Sequence, residues 1–137
     1  MKLYEVEARR WLQEAENDLR VVRTLVRGRH YAAACFYSQQ AAEKALKALL
    51  YDRRVRPPFT HSVAELLRQC AALVPSLGSM EAEASLLDQY YIPTRYPDAL
   101  PAPAVPSQRY TSQQARAARR SAERIVAAVR SALGVSG

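Results

Sequence analysis

The chain has 137 residues, 49% of them hydrophobic, and a formal net charge of +7 at pH 7. A chain of this length is typical of one domain that buries a sizeable core, and it contains no apolar run long enough to span a bilayer. Its N-terminal stretch, MKLYEVEARR, is charged and lacks the apolar segment of a signal peptide, so we expect a single cytoplasmic domain over residues 1–137 with no membrane partner.

The first two helices are predicted by the spacing of their apolar residues. An apolar stripe from Ala8 to Val26 predicts a helix over residues 4–27, and Gly28 marks its end. A second apolar pattern predicts a helix over residues 31–53. The short connection between the two predicts a long antiparallel hairpin.

The second helix is apolar around nearly its whole circumference, which is typical of a helix at the centre of a bundle. The polar residues that it nevertheless carries are either paired within the chain or turned towards a partner. Glu43 lies four residues before Lys47, the favoured orientation for an ion pair on one helix. The five polar residues are Gln39, Gln40, Glu43, Lys44 and Lys47.

Shorter elements follow the loop VRPPFTH. Ser62 and Glu65 form the pattern of a capping box and predict a third helix through Cys70. Pro75 and Gly78 are expected to end it, and a fourth helix is predicted from about Ser79 towards Tyr91.

A proline-rich segment over about 93–110 is predicted to be extended and to lie on the surface. Thr111 and Gln114 form a second capping-box pattern and open the last helix. No strand pattern competes anywhere. The sequence therefore predicts an all-α, up-and-down bundle of four to five helices.

Cysteine and histidine patterns give no support to metal chemistry. Cys35 and Cys70 lie on apolar helical stretches, and His30 and His61 complete no zinc-ligand spacing. We expect no metal and no cofactor. Two buried free thiols are favoured over a disulfide, which stays the alternative.

Basic residues are concentrated in one part of the chain. Nine lysines and arginines lie between residues 20 and 61, against only Glu43 and Asp52, which accounts for the whole net charge (nine minus two is seven). Such a patch suits a phosphate-bearing partner. An ordinary solvated face is the equally weighted alternative.

Three motifs give the chain a resemblance to a known family. The first is WLQEAENDLRVVRTLVRGRHYAAACFYSQQAAEKALKALL, whose part GRHYAAACFYSQQAAEKALKALL is close to the family signature. The second is THSVAELL before the third helix, and the third is LLDQYYIPTRYPDA at the end of the fourth. Together they span roughly residues 11–99, most of the chain. The chain resembles the HEPN family of small helical domains, and its TRYPD sequence is characteristic of one branch of that family.

The resemblance implies a bundle of four or five helices, homodimers or higher homo-oligomers, and pairing with a small nucleotidyltransferase. Several members are metal-independent ribonucleases that act as toxins in toxin–antitoxin pairs. Their active site is an arginine followed, after four to six residues, by a histidine, often with a tyrosine two positions later. Arg56 and His61 have this spacing, although Val63 stands at the tyrosine position and no histidine follows Arg95.

His61 is therefore a candidate general acid or base, and Arg56 a candidate cation for phosphorane charge. The alternative is that His61 only hydrogen-bonds the start of the next helix. Lys44 and Lys47, three apart on one helix, are candidates for binding an anionic ligand, with Glu43–Lys47 pairing as the alternative.

Arg95 and Tyr96 are candidates for binding phosphate and stacking on a base, respectively. The alternative is that Arg95 pairs with Asp88 or Asp98 and that Tyr96 anchors the loop. The leading hypothesis is a HEPN module that binds a nucleotide or RNA beside a nucleotidyltransferase. A metal-independent ribonuclease and a purely structural dimerisation module are the alternatives.

Overall fold

A computed structural model describes residues 3–135. In this range the chain forms six α-helices, two short 3-10 helices and no strand, which confirms the predicted all-α bundle. The helices are α1 (Leu3–Arg27), α2 (Tyr31–Asp52), α3 (Val63–Leu73), α4 (Glu81–Asp88), α5 (Pro106–Arg109) and α6 (Ser112–Ala132), and the 3-10 helices are Pro75–Met80 and Pro97–Ala99.

Helix α2 is the centre of the bundle, as its apolar circumference predicts. It forms the long antiparallel hairpin with α1 and also packs against α3, α4, α5 and α6. Nine of its ten residues from 41 to 50 are buried, so burial extends around its whole circumference. Its buried polar side chains are paired, because every buried side-chain nitrogen and oxygen atom in residues 3–135 has a hydrogen-bond partner. Pairing within the chain therefore accounts for the polar residues inside the bundle.

Three helices close with the same hydrogen-bond pattern at their C-terminal ends. After α1, the N–H groups of Arg29 and His30 donate to carbonyls of its last turn, and α2 and α6 end alike. The pattern needs a left-handed residue, which is Arg29 (φ 63°), Arg54 (φ 60°) and Gly134 (φ 73°), respectively. Helix α1 does end before Gly28, but the left-handed residue is Arg29 rather than the glycine.

The N-terminus of α3 contains only half of the predicted capping box. The Ser62 hydroxyl accepts from the backbone N–H of Glu65 at 3.1 Å. The Glu65 carboxylate, however, accepts from the Thr60 hydroxyl at 2.8 Å instead of returning to the backbone of Ser62. At the start of α6, by contrast, both halves of the Thr111–Gln114 box are formed.

Asp88, the last residue of α4, supplies the rest of the α3 cap. Its carboxylate accepts from the Ser62 hydroxyl at 2.9 Å and from the backbone N–H groups of Val63 and Ala64 at 2.5 and 3.2 Å. One side chain thus fixes the end of α4 to the beginning of α3.

The later segments differ in part from the sequence predictions. Helix α3 ends before Pro75, as expected, but a 3-10 helix that the sequence did not predict follows at once, because a proline is compatible with the first position of a helical turn. The segment over 93–110 is likewise less extended than predicted, since Pro97 and Pro106 each open a short helical turn.

Cys35 and Cys70 are buried free thiols, as the favoured alternative predicts. Burial raises the pKa of each to about 12. Within residues 3–135 no helix is both long enough and apolar enough to cross a membrane. The same range holds no cluster of three or more potential metal ligands.

Candidate functional site

A buried carboxylate lies where α2 meets the loop before α3. The Glu43 side chain is 5% exposed, and its Oε2 accepts from Lys47 Nζ at 3.1 Å. Its Oε1 accepts from Gln39 Nε2 at 3.2 Å, and the same amide donates to the backbone oxygen of His61 at 2.8 Å. Gln39 therefore ties the loop that carries His61 to α2.

The ring of His61 is oriented by this carboxylate. Nδ1 lies 3.2 Å from Glu43 Oε1 and 3.4 Å from Oε2. Because an ionised carboxylate only accepts, Nδ1 carries a hydrogen, and in the neutral ring Nε2 keeps the lone pair. Nε2 bonds to nothing within residues 3–135, and the side chain is 45% exposed. The pair is therefore built like the carboxylate–histidine part of a general-base site.

An aromatic column continues from His61 to Arg95; we use this name for His61, Tyr91, Arg95, Phe36 and Tyr96. The rings of His61 and Tyr91 are stacked, with centroids 4.3 Å apart and planes 15° apart. The guanidinium carbon of Arg95 lies 4.4 Å from the Phe36 centroid, 4.5 Å from that of Tyr91 and 5.0 Å from that of Tyr96. Arg95 Nε donates to the Tyr91 backbone oxygen at 2.8 Å, so the guanidinium plane is held at one place.

Arg95 has no acidic partner among the described residues. Asp88, one of its two expected partners, caps α3, and Asp98 forms no ion pair in residues 3–135. A groove of about 390 Å³ runs beside Arg95, and Arg29 and Thr94 also line it. A fixed guanidinium with free N–H groups at a groove is suited to an anion.

The two candidate lysines each have an acidic partner. Lys44 Nζ lies 2.9 Å from the carboxylate of Asp18 on α1, a residue that is almost fully buried. Burial raises the pKa of Asp18, an effect that Lys44 opposes. Lys47 pairs with Glu43 and lies 5.6 Å from the centroid of Trp11. No contact among residues 3–135 joins either lysine to Arg95, although Lys47 reaches His61 through Glu43.

No hydrogen bond, ion pair or ring contact joins Arg56 to His61 among the described residues. Arg56 is exposed and forms no hydrogen bond, ion pair or ring contact in the described part of the chain. The partners of the histidine are Glu43, Tyr91 and, at 6.0 Å between ring centroids, the fully exposed Phe59. The feature of the sequence that identifies Glu43 is the four-residue spacing of Gln39, Glu43 and Lys47. This spacing places three polar side chains in one stripe on an otherwise apolar helix.

A family model for the HEPN domain matches residues 8–132. The chain therefore belongs to the HEPN family.

The chain is also similar to individual proteins and solved structures. The crystal structure of TT1696 from Thermus thermophilus superposes with a TM-score of 0.84 and 40% identity, covering 91% of this chain and 97% of that one. The chain is 32% identical to human sacsin over 117 residues, which are 80% of this chain but 2% of sacsin. It is 27% identical over 97 residues to a Methanocaldococcus jannaschii protein named "Putative toxin MJ1304", matching 66% of this chain and 64% of that protein.

Proposed function

We propose that this HEPN module binds the phosphate of a nucleotide or RNA at Arg95, with Tyr96 and Tyr91 beside the base or sugar. The observation that carries the proposal is the guanidinium of Arg95, which three rings and a carbonyl hold in place while no described acid neutralises it. Ring stacking keeps the guanidinium plane fixed and leaves its Nη groups free for two parallel bonds to a phosphate.

Titration of the purified protein with a uridine mononucleotide by calorimetry tests this site. We expect Arg95→Ala to abolish measurable binding. Arg95→Lys should recover only part of it, because a lysine keeps the charge but loses the planar fork. Arg68→Ala, which removes an exposed arginine on α3, is the matched control and should bind as the wild type does. Equal affinity in wild type and Arg95→Ala would contradict the proposal.

Lys44 and Lys47 remain candidate ligand-binding residues, and the same titration tests them. Each ammonium would have to bind the ligand while it stays paired with its acid. If Lys44→Ala and Lys47→Ala bind with unchanged affinity, both lysines are removed from the site. A loss of affinity in Lys47→Ala alone would indicate that Lys47 acts on binding through Glu43 and His61.

The second candidate function is metal-independent RNA cleavage. The Glu43–His61 pair favours it, because it leaves Nε2 free to take the proton of a ribose 2′-hydroxyl. The 2′-oxygen would then attack phosphorus, and the 5′-oxygen would leave and take a proton from water, giving a 2′,3′-cyclic phosphate and a 5′-hydroxyl. Arg56 or Arg95 would stabilise the charge that develops on the phosphorane oxygens.

Cleavage of labelled RNA in the presence of chelator tests this second function. His61→Ala should abolish cleavage, and Glu43→Gln should reduce it by about 10²-fold, in line with loss of the group that orients a catalytic histidine. Arg56→Ala and Arg95→Ala, assayed side by side, identify the cation. Full activity of His61→Ala would exclude His61 as the catalytic residue.

We further propose that the module forms a homodimer and acts in the cytoplasm with a small nucleotidyltransferase, in a toxin–antitoxin-like pair. The family membership and the toxin-named relative support this proposal. Co-purification with the nucleotidyltransferase of a neighbouring gene, and loss of any RNA cleavage in that complex, are the expected results. A stable dimer that binds neither nucleotide nor partner would favour a purely structural module instead.

A further inference from the structure

A second basic groove lies next to the one beside Arg95. It has a volume of about 340 Å³ and lies where the end of α1, the start of α2 and the start of α6 meet. Five arginines line it, and we call it the arginine groove: Arg23, Arg27, Arg29, Arg116 and Arg119.

The arginine groove holds more positive charge than its surroundings neutralise. Glu123 is the one acid paired with these arginines within residues 3–135, and its Oε2 is shared by Arg23 at 3.5 Å and Arg119 at 3.4 Å. Arg116 donates only to the neutral hydroxyl of Ser112. Arg27 and Arg29 form no side-chain hydrogen bond or ion pair in that same part of the chain.

Like charges held together in a folded protein repel one another unless a counter-charge is supplied. Since the described residues supply one carboxylate to five guanidinium groups, the groove suits an external polyanion. Arginine's planar fork matches phosphate in particular.

The arginine groove is continuous with the groove beside Arg95. Arg29 and Tyr31 line both, so one ligand can pass from Arg95 to the arginines of α1 and α6 along a shared wall. Arg23 and Arg27 are one turn apart on α1, an axial rise of about 6 Å. These cations lie on α1, on α6 and on the turn between α1 and α2, a spread that exceeds the reach of one phosphate group.

We propose that the arginine groove binds the backbone of a single-stranded oligonucleotide, one phosphate of which lies at Arg95. The ligand of this module is thus a nucleic-acid strand rather than a mononucleotide, and Tyr31 provides a ring at the junction for a base. This inference rests on the proposed function, because it takes the Arg95 groove as the first phosphate site.

Fluorescence anisotropy with labelled oligouridylates of increasing length, up to about 12 nucleotides, tests the inference, with unlabelled uridine mononucleotide as a competitor. We expect affinity to rise with length. In Arg27→Gln/Arg116→Gln it should fall by about tenfold for the long strand, and the salt slope should drop by about 0.7 for each phosphate that the variant no longer neutralises. Mononucleotide affinity should not change.

Arg9→Gln/Arg68→Gln removes the same charge from exposed arginines outside both grooves and should bind the long strand like the wild type. Circular dichroism checks that both double variants are folded.

The remaining outcomes separate the two proposals. Mononucleotide binding that depends on Arg95, without any gain for longer strands, would overturn this inference and leave the proposed function intact. Absence of binding at every length at low salt would overturn both. Polyglutamate is the last probe. If it binds with the affinity of the oligouridylate, and if its binding depends equally on Arg27 and Arg116, the groove belongs to an acidic polypeptide and the inference is overturned.

Discussion

At the scale of single residues, two ion pairs on α2 differ in what they do. Lys47–Glu43 lies in the same network as His61 and therefore belongs to the candidate site. Lys44–Asp18 joins α2 to α1 inside the hairpin. Removing a charged group from water costs more free energy than an imperfect pairing returns, so a buried ion pair does not by itself stabilise a fold.

Asp18 makes this cost measurable as a function of pH. Burial raises its pKa above the ordinary 3.8, so the folded chain holds the proton more tightly than the unfolded chain. The stability that the bound proton contributes is fully present below pH 3.8, and it is lost as the pH rises through the raised pKa of Asp18 in the folded chain. We expect the free energy of unfolding of the wild type, relative to Asp18→Asn, to fall across that range.

Urea unfolding of both proteins, from below pH 3.8 to neutrality, measures this difference. The comparison variant Lys44→Met should steepen the fall in the protein that keeps Asp18, because it removes the charge that opposes the burial effect. A difference that does not vary with pH would contradict the assignment.

The residue scale is also where the sequence is least informative. Motifs identify Arg95, Tyr96 and His61 as candidates, but they leave the pairing of Arg95 with Asp88 or Asp98 open. The partner of His61 is Glu43, which lies 18 residues earlier in the chain. No local pattern predicts such a contact, because it depends on how the loop before α3 crosses α2.

At the scale of the elements, some helix ends are capped by residues nearby in the sequence and others by residues far away in the sequence. Apolar spacing predicts the bounds of α1 and α2 to within about one residue, since long amphipathic or buried helices carry many independent signals. The α6 cap is local, and its pattern predicts it correctly. The α3 cap is only half predicted, because its second contributor, Asp88, is 26 residues from Ser62.

The left-handed residues at the helix ends give a direct test of local strain. An arginine at positive φ costs about 1 kcal/mol more than a glycine there. We expect Arg54→Gly to raise the free energy of unfolding by about 1 kcal/mol, and Gly134→Ala at the end of α6 to lower it by about the same amount.

Urea unfolding provides the measurement. Arg56→Gly is the control, because it makes the same substitution two residues later, where φ is not positive. There the added freedom of glycine in the unfolded chain should lower stability slightly. If Arg54→Gly and Arg56→Gly change stability alike, strain at Arg54 is not relieved by glycine.

At the scale of the whole molecule, charge distribution in the sequence differs from charge distribution in space. The basic excess between residues 20 and 61 includes Lys44 and Lys47, which acids neutralise inside the bundle. The arginine groove takes residues from the same stretch and adds Arg116 and Arg119 from α6. The chain therefore folds back so that helices far apart in sequence contribute to one basic surface.

The central position of α2 leads us to propose that residues 1–137 unfold as one domain. Helix α2 packs against every other α-helix of the described range, so no part of the bundle can lose it and keep its core. We expect urea transitions followed by circular dichroism and by the fluorescence of Trp11 to coincide. Trp11 is the single tryptophan of the chain and stacks on Tyr51 in the α1–α2 hairpin, so it reports on that hairpin.

The two transitions would separate if the hairpin unfolded at a different urea concentration from the rest of the helices. Such a result would show two independently unfolding units. Repeating the experiment at several protein concentrations distinguishes this outcome from dissociation of a dimer, because only dissociation depends on concentration.

The bond from Asp88 to the start of α3 also has an evolutionary consequence. The loop that carries His61 and the turn that carries Tyr91 and Arg95 adjoin the two ends of this one interaction. A substitution at position 88 would disturb the loop of His61 and the turn of Tyr91 and Arg95 at once. Natural selection for the site should therefore act on Ser62 and Asp88 as a pair, and the two positions are expected to covary among homologous chains that keep the column.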